Sequence, residues 1–260
     1  MTWRLEVLAK RLASMKWRSF EESTQQSEAP SLRNVYAERK ALIAKYVPTA
    51  IQAMHARVVD ELRQSGIAAH ALKTGDPAPC FELEDHNGKL VCSAKLQEHG
   101  PLVVCFFRGR WCPFCIAQME AMNAVFPPLQ ELGASLVGVS PQTVHQSYLM
   151  ADQHKLRFPL LSDAGNQAAR QFRLVYRVPE YEQEIYSRAF INLPFVNGDS
   201  NWELPIPATY VIGRDSRPRP PAPQNLILYA SANPDYTDRP EPTEVLQAIP
   251  RALVRDVRQS

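Results

Sequence analysis

The sequence predicts an α/β fold with a central mixed β-sheet flanked by helices and preceded by a helical N-terminal extension. Three observations support this class. About 70 residues with mostly helical patterns come before the first strand signal. Short apolar runs then alternate with helical stretches, and two adjacent strands and a helix end the chain. We therefore predict an extension over residues 1–72 and an α/β domain over residues 73–260.

Composition excludes several functional classes. The 260 residues are 45% hydrophobic, enough for a sizeable core without disulfide support. The 29 basic and 27 acidic residues give a net charge of only +2, so we expect no nucleic-acid partner. No apolar run approaches the length of a membrane helix, and Arg4 and Glu6 interrupt any secretory leader. Five cysteines, an odd and modest number, favour a reducing cytoplasmic location.

Three helices are expected in the extension. Apolar residues recur at helical spacing through the first twenty positions, and the polar stretch Glu21–Pro30 reads as a linker. A second helix is predicted over Leu32–Tyr46, and a third follows Pro48 and ends near Gly66. The first helix is basic, and we expect it to dock on the body or on a second subunit, which leaves a homodimer open. Contact with an anionic membrane surface and a role as an organellar presequence are the alternatives.

The α/β domain is predicted to open with a hairpin whose turn is His86–Gly88. The apolar run Leu102–Phe107 is typical of a strand buried on both faces. A helix should follow from near Cys112 to about Phe126, where Pro127 and Pro128 end or kink it. The later elements are expected to be strand Ser135–Val139, helix Thr143–Lys155, strand Phe158–Leu161, a helix capped by Ser162 or Asp163 and ending near Phe172, strands Ala208–Ile212 and Leu226–Tyr229, and helix Thr243–Val257. Glu180–Trp202 has no clear periodicity, and Arg217–Pro223 is an expected proline-rich loop.

The strongest functional signal is a Cys-x-x-Cys pair, Cys112 and Cys115, between the buried strand and the next helix. A thiol at a helix N-terminus faces unpaired backbone N–H groups and the positive end of the helix dipole, which favour the thiolate. Arg108 and Arg110 add positive charge, and Pro113 suits the first helical turn. We predict Cys112 as an exposed nucleophile with a lowered pKa and Cys115 as the resolving thiol.

Other interpretations of the cysteines were weighed. A zinc site needs a second Cys or His pair, which the sequence lacks at suitable spacing, and an inert structural pair is less favoured than a redox pair. Cys105 is expected to be a small core residue, and Cys80 is a candidate third redox thiol. A two-residue turn would place Cys92 opposite Leu83, so no bridge between Cys80 and Cys92 is predicted.

Further motifs accompany the Cys-x-x-Cys pair. Pro207 enters a strand, and in this position it resembles the cis-proline that faces the redox cysteines in the thioredoxin superfamily. The other motifs are Gly75-Asp-x-Ala-Pro-x-Phe81, Phe106-x-Arg-Gly-x-Trp-Cys-Pro-x-Cys115, Gly133-Ala, Val139-Ser-Pro-Gln142, Leu161-Ser-Asp163, Leu204-Pro-x-Pro-Ala-Thr-Tyr210 and Asp235-Tyr-x-x-Arg-x-Glu-Pro242. Together they resemble the AhpC/TSA peroxiredoxin-like proteins of that superfamily. They extend from about Lys73 to Ile249.

The resemblance implies a thioredoxin-like fold and an antioxidant thiol-dependent oxidoreductase. Its substrate would be a hydroperoxide or a disulfide, with a thioredoxin- or glutathione-type electron donor and no metal or nucleotide cofactor. Arg108, Trp111, Pro207 and Thr209 are the expected substrate-binding residues. The favoured function is hydroperoxide reduction. The alternatives are thiol–disulfide exchange without peroxidase activity and a non-catalytic redox sensor or scaffold.

The sequence departs from true peroxiredoxins at several positions. Those enzymes have threonine or serine three residues before the reactive cysteine and a proline further upstream, where this chain has Gly109 and Cys105. They also use a downstream arginine, which the strand after Pro207 does not offer, so Arg108 or Arg110 is the expected substitute. Four aromatic residues downstream are expected mainly to pack, with a cover over the thiols or a dimer contact as alternatives: Tyr181, Tyr186, Phe190 and Phe195.

Overall fold

A computed structural model describes residues 31–214 and 225–249. Its first elements are helices α1 (Leu32–Tyr46), α2 (Thr49–Gln64) and α3 (Ile67–His70), which confirm the second and third predicted helices. Pro48 is the N-cap of α2, so the proline separates two helices because its ring cannot continue the first. The predicted basic helix at the N-terminus and its linker lie outside the described residues.

Seven of the nine strands in the described residues form one mixed sheet, which confirms the predicted fold class. The order is β2-β1-β5-β4-β3-β8-β9. β3, β4 and β5 are parallel neighbours, while β8 and β9 join antiparallel on one side and β1 and β2 on the other. The strands are β1 (Glu82–Asp85), β2 (Leu90–Cys92), β3 (Leu102–Phe106), β4 (Ser135–Ser140), β5 (Leu160–Ser162), β6 (Val175–Arg177), β7 (Glu203–Pro205), β8 (Ala208–Arg214) and β9 (Asn225–Ala232).

Helices connect the parallel strands and begin where the sequence places capping residues. The Thr143 side chain accepts a hydrogen bond from the backbone of Gln146 at the start of α7. The Asp163 carboxylate accepts hydrogen bonds of 2.9 Å from the backbone N–H groups of Ala168 and Ala169, which confirms the predicted cap. The helices are α4 (Ser93–Leu96), α5 (Pro113–Ala124), α6 (Phe126–Glu131), α7 (Val144–Gln153), a 3₁₀ turn (Ala164–Asn166), α8 (Gln167–Gln171), α9 (Glu180–Arg188), α10 (Leu193–Asn197) and α11 (Pro242–Ala248).

The core lies on both faces of β3, every residue of which is buried. Apolar side chains of β3, β4 and β8 pack there with Phe172 and Phe81, and the rings of Phe106 and Phe172 are 4.9 Å apart. Burial on both faces explains why these strands read as continuous apolar runs rather than as alternating patterns. The core therefore holds the carboxyl end of β3 rigidly at the point where the Cys-x-x-Cys loop begins.

Two features differ from the sequence-based expectations. In the hairpin Cys92 lies opposite Glu82 rather than Leu83, because Asp85 accepts a hydrogen bond from Gly88 and donates one to Lys89 around a longer turn. A second, two-stranded sheet joins β6 to β7, a pairing that no local pattern indicated. The segment Glu180–Trp202, which has no clear periodicity, contains helices α9 and α10.

The helices before the sheet pack on the domain. The Tyr36 hydroxyl on α1 donates a 2.7 Å hydrogen bond to the carbonyl of Phe114 in the first turn of α5. The boundary predicted at residue 72 stays a prediction, as does the course of the proline-rich loop, which lies mostly outside the described residues. No helix in the described part of the chain is both long and apolar enough to span a bilayer.

Candidate active site

The Cys-x-x-Cys pair lies at the start of α5, as predicted. Cys112 is the N-cap residue and Pro113 is the first helical residue. The Cys112 N–H donates to the carbonyl of Gly109 at 3.1 Å, which closes the loop that connects β3 to α5. This arrangement places the pair outside the carboxyl ends of the parallel strands, where open α/β sheets bind their ligands.

Both sulfurs are buried, which corrects the expectation of an exposed nucleophile. Cys112 is 2% exposed and Cys115 is fully buried. Burial tends to raise the pKa of Cys115, but the hydrogen bond from the Cys112 thiol and the charges of Arg239 and Arg108 outweigh it and lower the pKa to about 5. Burial and the adjacent Cys115 sulfur raise the pKa of Cys112. Electrostatics therefore favour a thiolate on Cys115 that accepts a hydrogen bond from the Cys112 thiol.

Arg239 is the downstream arginine that sequence reasoning missed. Its Nη2 atom lies 3.7 Å from the Cys115 sulfur and 2.8 Å from the carbonyl of Tyr236, and Nη1 donates to the Gln118 side chain at 3.2 Å. The side chain is 6% exposed, so its charge acts on the thiolate with little screening by water. Arg239 belongs to the motif Asp235-Tyr-x-x-Arg-x-Glu-Pro242. No short-range sequence pattern relates this motif to cysteines more than 120 residues earlier, so its role at the site could not be predicted.

Arg108 provides a second buried cation, as expected, and it is enclosed by aromatic rings. Its guanidinium carbon is 4.4 Å from the ring centre of Tyr236, 4.7 Å from that of Trp111 and 5.9 Å from that of Tyr186. One of its N–H groups donates to the Tyr186 hydroxyl. Cation–π contacts of this kind stabilise a guanidinium that has lost its hydration.

A buried carboxylate completes this cluster. The Tyr186 hydroxyl donates to Glu182 at 3.0 Å, and His55 on α2 is 3.1 Å from the same Glu182 oxygen. Glu182 is 1% exposed. A hydrogen-bonded chain therefore leads from His55 through Glu182 and Tyr186 to Arg108, and so links α2 and α9 to the redox pair.

The geometry of Gly109 explains one departure from the peroxiredoxin pattern. Gly109 has a φ of +145°, and a Cβ built on it would lie 2.6 Å from Nε1 of Trp111. The indole N–H thus fills the space that a threonine or serine side chain would occupy at this position. Trp111 Nε1 and Arg108 Nε are both buried and have no hydrogen-bond partner in the described residues. Unpaired buried donors of this kind cost free energy unless a ligand accepts from them.

Helix α1 covers the first turn of α5. Besides the Tyr36 hydrogen bond, the Arg39 guanidinium donates to the carbonyl of Pro113. The rings of Tyr36 and Phe114 meet edge to face at 5.1 Å. The extension therefore contacts the helical turn that begins at Cys112.

The hydrogen bonds of Thr209 and Arg110 go to residues other than Cys112 and Cys115. Thr209 is buried, and its hydroxyl is 3.9 Å from the Cys105 sulfur and accepts a 3.1 Å hydrogen bond from Gln118, so its bonding capacity is taken up there. Pro207 precedes Ala208, which pairs with Phe106, and it therefore lies at the edge of the sheet where the redox loop leaves β3. Its cis bond stays a prediction. Arg110 donates to Gln146 at 3.0 Å rather than contacting the cysteines.

The remaining cysteines and aromatic residues have separate environments. Cys105 is fully buried, as expected for a core residue, whereas Cys80 is exposed, and all five cysteines are free thiols. Tyr186 packs against the site, while Tyr181 donates to Glu61. Phe190 is 98% exposed and Phe195 69%, so neither packs as expected. No three His, Cys, Asp or Glu side chains within the described ranges are placed to hold a metal ion.

A mixed sheet with a dithiol at the start of the helix after its central strand defines a protein of thioredoxin-like fold. Comparison with known proteins identifies the family: the AhpC/TSA family model matches residues 74–217, more than half of the chain. The protein belongs to the AhpC/TSA family. Arg239 and the helices α1 and α2 lie outside the matched residues.

Individual relatives agree with this assignment. The chain is 32% identical over 111 residues to chloroplastic peroxiredoxin Q of Sedum lineare, covering 43% of this chain and 59% of the relative. It is 29% identical over 134 residues to chloroplastic peroxiredoxin Q of Oryza sativa subsp. japonica, covering 52% and 60%. Both alignments thus span less than two thirds of the relative's length. The crystal structure of peroxidoxin BcpB from Mycobacterium tuberculosis matches with a TM-score of 0.51 and 22% identity over 68% of this chain and 96% of that one, which supports the fold.

Proposed function

We propose that the protein is a thiol peroxidase that reduces hydroperoxides through Cys112 and Cys115. The observation that carries the proposal is a buried dithiol with one low pKa, placed between the guanidinium groups of Arg108 and Arg239. Such a site supplies a thiolate at neutral pH and compensates negative charge that develops on a departing oxygen. Family membership and the peroxiredoxin Q relatives support the same activity.

In the first step Cys112 attacks the terminal oxygen of the hydroperoxide. The proton shared between the sulfurs moves to Cys115, so that Cys112 becomes the thiolate. The S–O bond forms as the O–O bond breaks, giving Cys112 sulfenic acid and an alkoxide, or hydroxide from H₂O₂, that takes a proton from water. The unpartnered N–H groups of Arg108 and Trp111 are the donors assigned to the peroxide oxygens.

In the second step Cys115 attacks the sulfenic sulfur. A disulfide forms between Cys112 and Cys115, and water leaves. A thioredoxin- or glutathione-type dithiol or thiol donor then reduces this disulfide by exchange, for which the disulfide form must expose a sulfur that is buried in the dithiol form. The reducing cytoplasm inferred from cysteine usage would supply such a donor.

The burial of Cys112 favours peroxide reduction over general thiol–disulfide exchange. In the dithiol form Cys112 is 2% exposed, so a disulfide on another protein cannot reach its sulfur without an opening of the site, whereas a small hydroperoxide needs only a narrow path. The position of the dithiol at the carboxyl ends of the parallel strands and the two buried cations suit both reactions. The burial of Cys112 is therefore the feature that distinguishes peroxide reduction from thiol–disulfide exchange.

The test follows consumption of H₂O₂ and cumene hydroperoxide with dithiothreitol as reductant, with insulin reduction measured in parallel. We expect turnover by the wild type and none by Cys112→Ser. Without dithiothreitol, we expect Cys115→Ser to complete a single turnover that leaves a sulfenic acid on Cys112, detected by dimedone labelling and mass spectrometry. Fast insulin reduction without peroxide loss would assign the protein to thiol–disulfide exchange. A Cys112–Cys115 disulfide that forms without turnover of either substrate would indicate a redox sensor.

A further inference from the structure

A cavity of about 310 Å³ lies beside the redox pair, between helices α1 and α2 and the loop after β9. Its volume is at the lower end of the range for small-molecule sites. Almost all of its lining comes from residues outside 74–217, the exception being Phe114. The cavity is therefore formed mainly by α1, α2 and the loop after β9, which lie outside the residues that match the family model.

The inner wall of the cavity is apolar and its charged rim is largely self-paired. Ile43, Ala56, Val59, Phe114 and Tyr236 supply hydrocarbon surface. At the rim the Arg63 guanidinium is 3.1 Å from Asp60 and 3.5 Å from Asp235; these three charges sum to −1, and Lys40 at the same cavity adds one positive charge. A ligand with an apolar body fits this wall better than a multiply charged one.

Tyr236 separates the cavity from the sulfur pair. Its ring lines the cavity on one side and packs 4.4 Å from the Arg108 guanidinium carbon on the other. Phe114, between the two cysteines in sequence, meets the same ring edge to face at 5.7 Å. Tyr236 is partly exposed although Cys112 is buried, and its side chain contacts both the cavity and the Arg108 guanidinium beside the redox pair.

We infer that this cavity binds the organic part of a hydroperoxide, and that rotation of Tyr236 admits the peroxide group to Cys112. The inference rests on the proposed peroxidase function and adds a subsite that selects organic hydroperoxides over H₂O₂. H₂O₂ has no organic part and gains nothing from the apolar wall, whereas cumene hydroperoxide places its phenyl and methyl groups against Phe114 and Val59.

The test uses a variant that fills the cavity with a larger side chain and leaves both cysteines unchanged. Ala56 and Ala53 are both exposed on α2, but of the two only Ala56 lines the cavity, so Ala56→Phe adds a ring there and Ala53→Phe is the matched control. With dithiothreitol as reductant, we expect Ala56→Phe to lower kcat/KM for cumene hydroperoxide by about tenfold and to change that for H₂O₂ by less than about twofold. Ala53→Phe should leave both values unchanged.

A second measurement keeps the inference testable if Ala56→Phe folds poorly by circular dichroism. The product alcohol 2-phenyl-2-propanol lacks the peroxide bond, and we expect it to inhibit the wild type competitively against cumene hydroperoxide. Equal losses for the two peroxides in a folded Ala56→Phe variant, unchanged rates, or absence of inhibition by the alcohol would overturn the subsite. Each of these results leaves peroxide reduction itself intact, whereas a wild type inactive toward every hydroperoxide would refute the proposed function instead.

Discussion

Replacing Arg239 by methionine should raise the pKa of the dithiol and so reduce the thiolate available at neutral pH. The guanidinium Nη2 atom lies 3.7 Å from the Cys115 sulfur, and both groups are buried. With an effective dielectric constant of about 20, two unit charges at this distance interact by about 4 kcal/mol. Because 1.36 kcal/mol corresponds to one pKa unit, the loss amounts to about 3 units.

The pH dependence follows from the direction of this shift. The pKa of Cys115 is lowered to about 5, so the wild type holds its thiolate from about pH 6 upward and loses it only as the pH falls through 5. In Arg239→Met the midpoint should move to about pH 8, which leaves roughly one tenth of the molecules ionised at pH 7. The peroxidase rate should therefore fall about tenfold at pH 7 and recover towards the wild-type value at pH 9.

Two assays measure this effect. The ionisation midpoint is measured from thiolate absorbance at 240 nm. The reference variant is Cys112→Ala, which removes the hydrogen-bond donor to Cys115. Peroxide consumption over pH 5–9 gives the rate profile. Arg239→Lys is the matched control, because it keeps a positive charge near the sulfur while losing the fork of hydrogen bonds to Gln118 and Tyr236. A midpoint within half a unit of the wild type in Arg239→Met would refute the electrostatic reasoning.

Three further changes test other parts of the structure. Gly109→Ala should displace the Trp111 indole, because its Cβ would lie 2.6 Å from Nε1 at a φ of +145°. We expect the free energy of unfolding, measured by urea denaturation, to fall by about 1–3 kcal/mol. An unchanged urea midpoint would contradict this packing. Tyr36→Phe removes the buried hydrogen bond to Phe114 and should cost about 1 kcal/mol and increase hydrogen exchange in the first turn of α5; unchanged exchange there would mean that α1 does not hold this turn. Cys80→Ser should leave peroxidase turnover unchanged because Cys115 already supplies the proposed resolving thiol beside Cys112, whereas loss of turnover would make the exposed Cys80 a third redox thiol.

The local elements of the fold could be predicted from sequence because their signals lie within a few residues of one another. The apolar run at Leu102–Phe106, the proline after Cys112 and the turn before Lys89 each specify a strand, a helix start or a hairpin by short-range patterns. The helix Leu32–Tyr46 has the predicted bounds for the same reason. The hairpin register was predicted one residue away from the observed pairing, since turn length depends on backbone hydrogen bonds that residue types alone do not fix.

The Cys-x-x-Cys pair and its place at the start of a helix were determined by the sequence itself, whereas its charge and burial were decided by tertiary contacts. Arg239 reaches Cys115 across 124 positions of the chain, and Tyr186 reaches Arg108 across 78. Such partners are selected by how helices and loops pack on the sheet, which no local periodicity encodes. Packing of α1 against α5 likewise depends on tertiary contacts, and the burial of Cys112 at the start of α5 is the feature on which the proposed preference for small hydroperoxides rests.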